Sequence, residues 1–183
     1  MFFFVKIQKH IRLQPEELGK NLITKIRDKI DSTMVGTCSA VHGYIIHIVT
    51  FKDKDVNIQD GRIQDTTGEV IFRVSFTALV FKPFVDEVLD GVVVEVTNNG
   101  IIIRSGPLES FISAARVAES ESGEFFHDSS TNQFVSRRDP NLRIRTDSEI
   151  RYKVFQIKYD QGKYDSIASI SGDYLGPIQS QGV

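Results

Sequence analysis

Only one stretch of this chain repeats its apolar residues at helical spacing. Leu18, Leu22, Ile26 and Ile30 recur every four positions, with Lys20, Lys25, Arg27 and Lys29 off that line. Such a stripe specifies one amphipathic helix with a single buried face. Gln14-Pro15-Glu16-Glu17 supplies a start. Proline lacks the N–H that a first turn leaves unpaired, and the acids suit the positive end of the helix dipole. Asp31-Ser32-Thr33 ends the period. The remaining apolar residues come mostly in short runs rich in Val, Ile and Phe, cut by Gly, Asn and Asp. A chain with one helix and many such runs must build its cores mainly from sheet.

The runs fall into two groups. Residues 2–13, 44–51 and 69–76 read as strands around the helix, with turns at Asp53-Lys54-Asp55, Asp60-Gly61 and Thr67-Gly68. In the last of these strands Val70, Phe72, Val74 and Phe76 alternate with Glu69, Ile71, Arg73 and Ser75. One helix on an antiparallel sheet makes an α+β layer, expected over residues 1–80. Further on, residues 86–96 are valine-rich and run into Asn98-Asn99-Gly100, a two-residue hairpin signal because Asn and Gly accept positive φ. Residues 101–104 return, Gly106-Pro107 turns again into 108–112, and 150–160 and 164–171 pair through Gln161-Gly162-Lys163. Five short strands so spaced suit a Greek-key barrel of the OB type over residues 81–178. Residues 113–149 read as a long polar insertion and 179–183 as a tail.

Charge and special residues narrow the function classes. The chain has 22 Lys+Arg against 24 Asp+Glu, a net charge of −2. Residues 1–80 carry 11 cations and 9 acids, the remainder 11 and 15. No basic excess of the duplex-binding kind is present. Cys38 is the only cysteine, which excludes an intrachain disulfide and a cysteine zinc site. Cys38 and His42 are four apart in predicted strand and turn, with no third residue to orient a base, so they read as structural. His10, His42, His47 and His127 lack metal-ligand spacing. The glycines are turn glycines rather than a phosphate loop. No catalytic residue, metal or cofactor is expected. The Phe-rich start is too short for a signal-peptide core and is broken by Lys6 and Lys9. No run approaches the roughly 20 apolar residues of a membrane span.

Two resemblances then carry the functional expectation. Gly91-Val92-Val93-Val94-Glu95-Val96, Asn99-Gly100-Ile101-Ile102-Ile103, Gly106-Pro107-Leu108-Glu109-Ser110-Phe111-Ile112-Ser113, Glu149-Ile150-Arg151-Tyr152-Lys153-Val154 and Ser166-Ile167-Ala168-Ser169-Ile170 together resemble an S1 domain. That family holds single-stranded RNA by stacking bases on exposed aromatics beside cations. Here Asn99, Ile102 and Ser113 stand where the family has its stacking groups. Arg104, Arg151, Lys153 and Lys163 remain as candidate phosphate contacts, helped by Arg137, Arg138, Arg143 and Arg145 in the insertion. Weak, salt-sensitive RNA binding without base preference is the expectation.

The whole chain resembles the family of the seventh-largest, or stalk, subunit of RNA polymerase II. The resemblance rests on Met1-Phe2-Phe3, Gly36-Thr37-Cys38, Gly43-Tyr44-Ile45, Gly61-Arg62-Ile63, Ala78-Leu79-Val80-Phe81-Lys82-Pro83-Phe84, Glu87-Val88, Gly106-Pro107 and Gly172-Asp173-Tyr174-Leu175-Gly176, in that order. It implies a non-catalytic nuclear subunit that pairs with the fourth-largest subunit. The first domain would dock at the base of the polymerase clamp through a tip at Asp60, Gly61, Arg62 and Ile63. The S1 domain would lie near emerging RNA. Phe81, Lys82, Pro83 and Phe84 would join the two domains. The alternatives are a free-standing S1 RNA-binding protein and the stalk of another polymerase; Leu13-Gln14-Pro15-Glu16-Glu17-Leu18-Gly19-Lys20 departs from a typical polymerase II subunit. An S1-containing nuclease lacks an acidic or metal constellation.

Overall fold

A computed structural model describes residues 1–50, 61–120, 125–139 and 141–178. The expected turn at Asp53-Lys54-Asp55 and residue Asp60 lie outside them. The chain divides into two compact units, Met1–Lys82 and Pro83–Val183.

In the first unit, strand β1 (Phe2–Leu13) is followed by a 3-10 turn at Pro15–Glu17 and helix α1 (Leu22–Met34). Then come β2 (Cys38–Ser39), β3 (Gly43–Thr50), β4 (Arg62–Ile63) and β5 (Val70–Phe81). The sheet order is β1-β5-β3-β2, with β4 also paired to β5. β1 and β5 pair antiparallel over their whole length, Phe2 opposite Phe81 and Leu13 opposite Val70. Strict alternation decides the faces. Ile7, Ile11 and Leu13 of β1 and Val70, Phe72, Val74, Phe76, Ala78 and Val80 of β5 point to one side, where Ile26, Ile30 and Met34 of α1 cover them.

The helix starts later than the sequence suggests. Pro15 opens only the 3-10 turn, whose Glu17 carboxylate accepts from the Gln14 N–H (2.8 Å) and pairs with Lys29 (2.8 Å). α1 proper begins after Gly19, and Leu18 is left exposed. The helix also runs past Asp31-Ser32-Thr33 so that Met34 adds a fourth-spaced apolar residue.

The second unit is the expected barrel. β6 (Val88–Thr97), β7 (Gly100–Ser105), β8 (Leu108–Ser113), β12 (Glu149–Asp160) and β13 (Lys163–Ser169) form the order β13-β8-β7-β6-β12. β12 pairs again with β13, which closes the ring, and β13 runs parallel to β8. A two-residue strand, β14 (Gly176–Pro177), extends β12. Val93, Val96, Ile101, Ile103, Leu108, Ile112, Ile150, Val154 and Ala168 fill the interior. Gly100 is forced: its φ is +152°, and a Cβ there would strike the Ile112 carbonyl on β8.

The insertion is not irregular. It holds helix α2 (Ala114–Ala118) and a small sheet of β9 (Phe125–Asp128), β10 (Gln133–Ser136) and β11 (Arg143–Ile144), in the order β11-β10-β9. Val117, Phe125, Phe134 and Ile144 are buried beneath it. The turn after β9 is tied by Asp128, whose carboxylate accepts from the Ser130 and Thr131 hydroxyls and from the Ser130 N–H. Those donors hold the carboxyl down at about 2.

Candidate functional site

The barrel positions the S1 candidate residues by register. Asn99 lies in the turn before Gly100, and its carbonyl accepts from the Ala114 N–H (2.8 Å). Gly100 stands opposite Ser113, and Ile102 opposite Phe111. Asn99, Ile102 and Ser113 therefore gather at one region of the outer face, and none is aromatic. Phe111 stands between Ile102 and Ile167 in register and is 38% exposed. Sequence reasoning passed over it, although the buried alternates Leu108, Ser110 and Ile112 mark it as outward.

The four candidate cations do not form a free stripe. Arg151 forks onto Asp90, Nε to Oδ1 at 2.6 Å and a terminal nitrogen to Oδ2 at 2.8 Å. That fork pulls the Asp90 carboxyl below its usual value and raises the guanidinium. Lys153 pairs with Asp86 (2.7 Å) and Arg104 with Glu109 (2.8 Å). Lys163, at the tip of the β12–β13 hairpin and opposite Asp160, makes no ion pair among the described residues. A phosphate reaching Arg104, Arg151 or Lys153 meets a carboxylate already in place, which weakens the attraction.

Two aromatic–arginine stacks lie elsewhere on the unit. Arg116 of α2 sits 4.0 Å above the ring of Phe155, which is 57% exposed at the bulge in β12. Arg137 lies 5.9 Å from the ring of Phe126. Both rings keep exposed surface. The alternation of buried Ile150, Tyr152 and Val154 marks Phe155 as outward in the sequence itself.

In the first unit, Arg62 and Ile63 form β4, opposite Ile71 and Val70, and both are exposed. Gly61 sits against the Phe72 ring, where a Cβ would come within 2.8 Å. The turn behind β4 is closed by the Gly68 N–H on the Gln64 carbonyl (2.8 Å). The junction residues divide. Phe81 ends β5, edge-on to Phe2 at 5.3 Å. Lys82 donates its main-chain N–H to the Met1 carbonyl and its Nζ to the Val41 carbonyl, both at 2.9 Å. Those contacts carry the first unit two residues beyond the expected boundary. Pro83 and Phe84 begin the second unit, where the Phe84 N–H meets Glu87 (3.0 Å). Cys38 is half-buried on β2, and burial raises its thiol.

Comparison with known proteins decides the family. Residues 82–165 match the S1 RNA binding domain. The RNA polymerase II subunit rpb7 of Dictyostelium discoideum is 35% identical over 180 residues, 97% of this chain and 99% of that protein. This chain belongs to the RPB7 family. The RPB7 of Glycine max is 32% identical over 97% of each chain. The relationship runs through the first unit as well as the barrel, as the ordered motifs from Met1-Phe2-Phe3 onward suggest. Subunit 7 of RNA polymerase IV from Arabidopsis thaliana is 35% identical over 129 residues, 67% of this chain and 68% of that one.

Proposed function

We propose that this chain is a non-catalytic stalk subunit of a nuclear RNA polymerase of the polymerase II type, acting by binding alone. The observation that carries the reading is the full-length relationship, 97% of this chain against 99% of an RNA polymerase II subunit. A free-standing S1 protein needs no counterpart of the first unit, so the full-length match speaks against it. In this reading the chain pairs with the fourth-largest subunit and docks at the clamp base through Gly61, Arg62 and Ile63. It favours one clamp state only as far as its contacts differ between states. RNA contact at the barrel is weak, because the stacking positions hold Asn99, Ile102 and Ser113 and three of the four cations already hold carboxylates.

A second reading, the stalk of a specialised polymerase, draws on the likeness to the polymerase IV subunit. Affinity purification of the tagged chain, followed by identification of the co-purifying largest subunit, tests both. A polymerase II largest subunit is expected. Recovery of a different largest subunit selects the second reading, and recovery of none overturns both.

A further inference from the structure

The sheet of the first unit has a face that α1 does not cover. Along β1 the residues on that face are Phe2, Phe4, Lys6, Gln8, His10 and Arg12, and along β5 they include Ile71 and Arg73. Register brings three arginines and a histidine together. His10 stands opposite Arg73, and Arg12 and Arg62 stand opposite Ile71 from its two sides. With strands about 4.8 Å apart, Arg12 and Arg62 are about 10 Å from each other. His10, Arg62, Ile71 and Arg73 line a hollow of about 200 Å³. His10, Arg12, Arg62 and Arg73 are all exposed.

Like charges this close repel within one Debye length and weaken a sheet unless something answers them. Nothing does so among the described residues. The ion pairs found there engage Lys29, Arg104, Arg151, Lys153 and Lys158, and none of the four residues of this cluster. Of the described acids within four positions of these residues, Glu16, Asp65 and Glu69 form no ion pair with them. On the barrel, by contrast, Arg104 of β7 and Arg151 of β12 each hold a carboxylate.

We propose that this cationic end of the open sheet face, built from His10, Arg12, Arg62 and Arg73, docks an acidic segment of another polypeptide. Guanidinium forks recognise carboxylates and phosphates alike, so the partner class must be decided on other grounds. Sheets that hold single-stranded RNA place aromatics among their cations for stacking. No aromatic lies among these four. The exposed rings of β1, Phe2 and Phe4, are six or more residues away from His10, about 20 Å along the strand. A polypeptide has a further point of attachment that RNA lacks. Among the described residues β1 is an edge strand, paired only with β5, and its outer side offers main-chain donors and acceptors to an extended segment.

Arg62 is shared with the docking tip, so the test uses Arg12 and Arg73, which lie outside that tip. Fluorescence anisotropy of the full-length chain is measured against a labelled peptide of alternating Glu and Ser, and against a labelled oligouridine of similar length, at about 50 mM salt. The peptide is expected to bind, and R12Q/R73Q to weaken it by about tenfold, the loss of two charged contacts. R151Q/K153Q should leave peptide binding unchanged. The melting temperature of R12Q/R73Q should equal or exceed that of wild type, since the substitutions relieve repulsion. If the double variant fails to fold, each single variant is read alone and should weaken binding about threefold. Peptide binding by the double variant equal to wild type overturns the proposal, as does no peptide binding at all. Oligouridine binding that is tighter than peptide and lost in the same variant assigns the face to nucleic acid instead. Co-purification of the polymerase largest subunit is a separate readout, so this proposal and the stalk reading fail independently.

Discussion

Asp90 sets how much of Arg151 is available to anything else. Both are about half exposed, so solvent screens the fork and it adds little to stability. Asp90→Asn should leave the fold intact and release the guanidinium. Filter binding of single-stranded RNA at low salt is expected to tighten several-fold in the variant, with the gain erased at high salt. Unchanged binding would remove this face from any RNA path. A different residue governs the barrel's interior chemistry. The Tyr152 hydroxyl, fully buried, donates to Ser105 Oγ (2.8 Å) and accepts from Ser110 Oγ (3.0 Å), which also bonds Ser166 Oγ (2.6 Å). Burial raises the phenol above its ordinary value. An acid whose folded-state pKa is raised favours the folded state fully below the unfolded value, about 10, and loses that contribution as pH climbs past it. Tyr152→Phe should therefore flatten the alkaline fall in melting temperature. At neutral pH it should cost about 1–3 kcal/mol, because serine hydroxyls lose their partner in a buried site. Denaturant melts of both proteins at pH 7 and above pH 10 measure the two effects.

At the scale of elements, what could be read in the chain depended on whether the signal was local. Helix α1 was visible because Leu22, Ile26 and Ile30 keep a four-residue period, yet its start was not, because Pro15 and the acids serve a 3-10 turn equally well. The β6–β7 hairpin was visible in Asn98-Asn99-Gly100. The small sheet in the insertion was not: its buried residues Val117, Phe125, Phe134 and Ile144 lie many positions apart, on elements too short to show a strand or helix period. The pairing of Arg151 with Asp90 spans 61 positions and leaves no local trace. Phe134 is the residue on which the insertion's own stability should turn. It is 1% exposed, with His127 edge-on to it at 5.1 Å. Phe134→Ala should cost about 3–5 kcal/mol locally. Limited proteolysis should then cut within residues 125–145 while the closed barrel stays resistant; cleavage spread evenly through the barrel strands would show that the insertion supports the whole unit.

For the whole molecule, charge is divided unevenly. Residues 1–82 carry 12 Lys+Arg and 9 Asp+Glu, whereas 83–183 carry 10 and 15. The first unit is thus net +3 and the second −5, opposite signs that suit partners of opposite character. Each unit is small, and domains of this size bury modest cores. Val88, Val92, Val94, Phe111, Phe155 and Ile167 leave apolar surface on the barrel. Co-expression with a fourth-subunit partner should raise both the soluble yield and the melting temperature, as any ligand of the folded state does. A melting curve that the partner leaves unmoved would count against obligate pairing.

The pairing of β1 with β5 also sets a timetable. The first strand finds its neighbour only when the last strand of its unit has been made, 68 residues later, counting from Leu13 to Phe81. At about 5–20 residues per second that is about 3–14 s of synthesis. During that interval Phe2-Phe3-Phe4-Val5 has no strand to lie against, and a Phe-rich run without a partner is a template for aggregation. The nascent chain should therefore recruit a holding chaperone early and release it abruptly once residue 81 clears the ribosome, a step that ribosome profiling of chaperone-bound nascent chains would register as a sharp edge.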